Sequence, residues 1–112
     1  MIKAIKDYIY IAKNHKRLEV KFKALVSQDP SYHAYGYHQY KVLERAYIRG
    51  YTIGYRGRIT VLRGFTRFLP AVKLLHPSKV NHDALGNDIY KYFAAGYKEA
   101  YDEKRELSES EG

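Results

Sequence analysis

Within the segment "LERAYIRGYTIGYRGR", residues 43–58, Ala46, Gly50 and Gly54 recur at every fourth position. The segment otherwise reads as a good helix, yet each glycine inside a helix costs about 1 kcal/mol relative to alanine. A spacing of four puts all three residues on one face, which becomes a groove of bare backbone. A second such face appears later, where Gly96 and Ala100 sit in "GYKEAY", residues 96–101. It shares with "GYTIGY", residues 50–55, the form Gly-Tyr-x-x-small-Tyr. Helices bearing such faces approach more closely than usual, because packing distance depends on the side chains at the contact. The expected fold is therefore all-α, built on an antiparallel pair of helices packed across Ala46, Gly50, Gly54, Gly96 and Ala100. A phosphate-cradling loop is the sharper alternative for these glycines. The spacing argues against it, since no GxGxxG or GxxxxGK[ST] pattern follows a strand.

The other elements arrange themselves around that pair. Ile2, Ile5, Ile9 and Ala12 follow helical spacing, and Ile11, Leu18, Phe22 and Leu25 form a second, rotated stripe. The change of face near Asn14 predicts a bend within residues 2–26, and Asp29-Pro30 stops the segment. Residues 31–40 form a tyrosine-rich connector, followed by a helix from about His38 to Tyr55 with Gly57 as a left-handed cap. Residues 59–86 read as short extended segments and one helical turn after Pro70, ended by Pro77. Asn87 is the expected N-cap of a last helix from Asp88 to about Leu107, with residues 108–112 a flexible tail. One small domain results, residues 1–107, with 1–28 an N-terminal helical extension and 38–107 the core.

Charge narrows the possible partners. The 112 residues carry a formal net charge of +8, thirteen tyrosines and no tryptophan or cysteine. Without cysteine there is neither a disulfide framework nor a thiolate metal site. No apolar run reaches signal or membrane-span length, so a cytoplasmic protein is expected, with no membrane partner. Residues 41–73 hold eight Lys/Arg against Glu44 alone, and residues 1–25 hold seven against Asp7 and Glu19. The end is acidic, with five acids against Lys104 and Arg105 in residues 102–112. Two basic blocks point to an anionic partner such as nucleic acid.

Arg45, Arg49 and Arg56 share one helical face, turned away from the glycine groove. With Arg58 they supply planar forks for phosphate, and the interleaved Tyr51 and Tyr55 could stack on unpaired bases. A solvated basic face without a partner is the plain alternative. Catalysis finds little support. His76, His82, Asp83 and Asp88 cluster loosely in sequence, but without the spacing of a zinc site. No nucleophile elbow or paired carboxylates stand out. The chain reads as a non-enzyme with no cofactor, no metal and no small-molecule substrate.

Residues 43–58 resemble the first helix of the ribosome modulation factor family, whose pattern is Leu-Glu-Arg-Ala-x-x-Arg-Gly-Tyr-x-x-Gly-x-x-Gly-Arg. Leu43, Glu44, Arg45, Ala46, Arg49, Gly50, Tyr51, Gly54, Gly57 and Arg58 match it. "FAAGYKEA", Phe93 to Ala100, is similar to the family's second helix, with Tyr97 for a tryptophan and Lys98 for an arginine. Residues 1–36 have no counterpart there, and the connector between the helices is much longer. The resemblance implies docking on the small ribosomal subunit near the end of its ribosomal RNA, and repression of translation. It adds Lys98 to Arg45, Arg49, Tyr51, Tyr55, Arg56 and Arg58 as expected RNA contacts. A protein-binding inhibitor or adaptor on the same helical scaffold is the second expectation, because tyrosine and arginine are enriched at protein interfaces.

Overall fold

The computed structural model describes residues 2–30, 32–75 and 83–111. Their helices are α1 (Ile2–Lys13), α2 (His15–Ser27), α3 (Tyr37–Arg56), α4 (Val61–Leu75) and α5 (Asp83–Glu111), with a short 3-10 turn at Tyr32–Ala34. Among the described residues there is no strand, so the domain is all-α. None of the described helices is long and apolar enough to cross a membrane.

The glycines stand where α3 and α5 touch backbone to backbone. A Cβ on Gly50 would overlap the Phe93 carbonyl oxygen, and one on Gly96 would overlap that of Tyr47. One on Gly54 would lie 2.6 Å from the Tyr97 carbonyl oxygen. Ala46 and Ala100 are fully buried. The expected close pair is present, through the residues that the spacing singled out.

Its direction is not the expected one. Gly50 faces Phe93 and Gly54 faces Tyr97, so residue numbers rise together along both helices. Tyr35, just before α3, donates to Asp88 at 2.9 Å, and Tyr51, near its far end, donates to Glu103. The pair is parallel. Parallel neighbours need a return element between them, and α4 supplies it. Gly57 caps α3 in the left-handed region, at φ 66°. The chain then runs back, placing Gly64 beside Ile53 and Phe65 and Phe68 against Phe93.

Residues 61–69 are thus helical, where short extended segments were expected, and the helical turn expected after Pro70 continues the same helix. Thr60 starts the helix, its Oγ1 accepting from the Arg63 backbone N–H at 3.2 Å. Pro70 lies inside α4 rather than opening a turn. Lacking an N–H, it leaves the Thr66 carbonyl without its helical donor. The last helix likewise begins earlier than expected. Asp83 opens it. Asn87 is inside it, and the helix continues through residues 108–111, which were expected to be a flexible tail.

The bend at Asn14 separates α1 from α2 as expected. Its side-chain amide donates to the Tyr10 carbonyl at 2.7 Å and accepts from Arg17 Nε at 2.8 Å. Leu18, Phe22 and Val26 of α2 are fully buried, with Val26 taking the place expected of Leu25. In α1 only Ile11 among the described side chains is buried, while Ile5 and Ile9 face outward. The stripe expected to seal α1 on the core is therefore on its open side. Phe22 sits among Tyr40, Tyr47 and Tyr92, at the centre of an aromatic core.

Two buried tyrosines, Tyr51 and Tyr92, place their hydroxyls on carboxylates. Tyr92 donates to Asp29 at 2.6 Å. Glu103 accepts from both Tyr51 and Arg17, tying α2, α3 and α5 together, and Lys21 reaches Glu99 beside it. Burial alone would raise the Glu103 carboxyl. The hydrogen bonds from Arg17 and Tyr51 and the charges of Arg17 and Lys21 outweigh it, holding the group below its ordinary value.

Candidate nucleic-acid interface

The outer face of α3 carries Arg45 and Arg49, both exposed, one turn apart. The left-handed turn at Gly57 swings Arg58 and Ile59 round the helix end, and α4 returns alongside with Arg67 and Phe68. The result is a cleft of about 420 Å³ walled by Arg45, Arg49, Arg56, Arg58 and Arg67. Ile53, Ile59, Gly64 and Phe68 complete its lining, and no carboxylate contributes to it. Tyr97 steadies the turn by donating to the Ile59 carbonyl at 3.0 Å. At Gly64 a Cβ would lie 3.1 Å from Ile53 Cγ2, so a bare backbone lets α4 come close enough to form the wall.

Guanidinium groups keep their charge at any working pH and present planar donor forks. Five of them around an apolar floor form a site for an anion that also carries a flat or apolar part. Phosphate with an attached base has both properties.

Of the residues read from the sequence, Arg45, Arg49, Arg56 and Arg58 come together as expected. Tyr51 does not belong with them. It is 0 % exposed, packed in the core with its hydroxyl on Glu103, and has no face to offer a base. Tyr55 is partly buried and already stacked. Its ring lies 4.7 Å from that of Tyr10, at 13° between planes, and Lys104 Nζ sits 4.8 Å from its centre. Lys98 is outside the cleft lining and pairs with Asp102 at 3.3 Å.

Arg67 and Phe68 escaped notice in the sequence. Their signal was the four-residue step from Arg63 to Arg67, which has meaning only once residues 61–75 are taken as a helix. Of the loose histidine–aspartate cluster, His76 and His82 lie outside the described residues, and Asp88 is engaged by Tyr35. Compared with known proteins, the chain matches no protein-family model, no curated protein and no solved structure.

Proposed function

We propose that this chain is an RNA-binding regulator that docks on small-subunit ribosomal RNA and represses translation, in the manner of the family that residues 43–58 resemble. The observation that supports it best is the cleft, where five arginines converge with no acid among its lining residues. Arg45, Arg49, Arg58 and Arg67 put like charge around one concave surface, which raises the local potential for an anion. Arg45, Arg49, Arg56 and Arg58 hold phosphates in this reading, and Arg67 joins them. Tyr51, Tyr55 and Lys98 are left out for the reasons of burial, stacking and position given above. The protein acts by occupancy rather than by chemistry, in the cytoplasm, without cofactor or small-molecule substrate.

Co-sedimentation with purified small subunits at two salt concentrations tests the proposal. The parent should pellet with the subunits, and less so as salt rises, because phosphate contacts release counterions. The double variant Arg49→Glu/Arg56→Glu should stay in the supernatant while melting like the parent. Lys98→Glu should pellet like the parent. Equal pelleting of parent and double variant, or no pelleting of the parent, would remove the ribosome from the reading and favour a protein target.

A further inference from the structure

The basic surface does not end at the cleft. A second depression adjoins it, lined by His15, Lys41, Glu44 and Thr52 among others, and Arg45 and Arg49 form the shared wall. Lys41 continues the row, its Nζ 5.8 Å from the centre of the Tyr37 ring. Tyr37, Lys41, Arg45 and Arg49 follow one another in steps of four, so they stand in a single line along α3. All are exposed, Tyr37 by 71 %. Glu44 is the one carboxylate lining either depression, and it is turned inward and paired with Lys41 at 3.5 Å.

We infer that one strand of unpaired nucleic acid lies along this line, with phosphates on Lys41, Arg45, Arg49 and the cleft arginines and a base stacked on Tyr37. The inference rests on the RNA-binding reading and extends it from a docking point to a track. Charge complementarity selects the occupant. A single file of cations follows one backbone, whereas a duplex presents two. The aromatic ring at one end and the apolar floor at the other both suit the face of a base, which a duplex keeps inside its stack. From Tyr37 to Arg56 the line runs about 28 Å at the helical rise. That is long enough for several nucleotides and in keeping with single-strand sites of about 4–16 nucleotides. Much of the track lies outside the glycine motif. Tyr37 and Lys41 come from the first turns of α3, and Arg67 from α4.

Fluorescence anisotropy with a labelled oligouridylate of about 12 nucleotides, within the usual range of such sites, and with an RNA duplex of equal length, tests it at several salt concentrations. The single strand should bind more tightly than the duplex. Lys41→Ala should weaken binding and make the slope of log affinity on log salt shallower by about 0.7, the single-strand value for one phosphate. Tyr37→Ala should weaken binding about fivefold or more, the low end for one stacked base, and leave the slope unchanged. Both substitutions are on exposed side chains, and unchanged thermal melts confirm that the fold survives. If both bind like the parent while Arg49→Glu/Arg56→Glu does not bind, the ligand is confined to the cleft. The track is then wrong and the proposed function stands. Duplex binding equal to single-strand binding overturns the track as well. A parent that pellets with small subunits yet ignores every oligonucleotide also overturns the track alone. A parent that does neither overturns both.

Discussion

Gly96→Ala adds one carbon atom where the Tyr47 carbonyl oxygen already stands, and a backbone atom cannot swing aside as a side-chain end can. Unfolding in urea should show a loss of about 1–3 kcal/mol or more, the range for overpacking a tight core. Gly36→Ser is the contrasting case. The nearest atom to its Cβ is 3.9 Å away, and serine suits the N-cap of α3, so stability should hold or rise slightly. If Gly96→Ala melts like the parent, the helices do not meet as described. The glycine contacts were readable from spacing because a missing side chain has few uses inside a helix. The tyrosines were not. A phenol serves a core edge and a nucleic-acid surface equally well, and only position separates the two. Tyr47 and Tyr51 flank Gly50 on the packed side, and the structure buries them both.

The direction of the helix pair could not be read from its faces. A strip of small residues fits a partner running either way, and what selects parallel packing is the length and shape of the intervening chain. That chain hid its nature because Gly64 and Pro70 both argue against a helix. Pro70→Ala should restore the N–H that the Thr66 carbonyl lacks. The gain is about 3 kcal/mol for an interior proline, offset by about 1 kcal/mol for a freer unfolded chain. Calorimetry should therefore show a more stable variant, by about 2 kcal/mol on those two values. A less stable one would mean that the ring itself fits α4 to its neighbours. The N-terminal helices make a different forecast. Deleting residues 1–28 removes Leu18, Phe22 and Val26 from the core and Arg17 from Glu103. The truncated chain should bind a hydrophobic dye and aggregate on gel filtration. A soluble, equally stable monomer would show α1 and α2 to be an independent arm.

The whole molecule measures 45 × 28 × 21 Å, and the 29 residues of α5 alone span about 44 Å. Its stability should have two edges in pH. Burial pushes the Tyr47 hydroxyl up to about 12, and burial with carboxylate neighbours pushes Tyr51, Tyr92 and Tyr35 upward too. In the unfolded chain these groups ionise near their ordinary value of 10.0. Their contribution is complete below that pH and is lost as pH rises through the folded values. Glu103 acts in reverse. Its lowered value means a contribution present above 4.5 and lost as pH falls through the folded value. Melting temperatures followed by circular dichroism should fall on both sides, and Glu103→Gln should flatten the acid side. A flat alkaline limb would show the tyrosines to be hydrated. The meeting of Gly50 with Phe93 also bears on the timing of folding. Closing that contact joins residues with the whole of α4 between them, so the loop entropy is lost before the contact stabilises anything, which slows folding relative to a helical chain of local contacts. A chain stopped at residue 82 lacks the helix that covers Gly50 and Gly54, and the amides of that face should exchange with solvent faster than in the full chain. The arginine wall therefore stands on a helix whose opposite, glycine-bearing side is unpacked until α5 joins it.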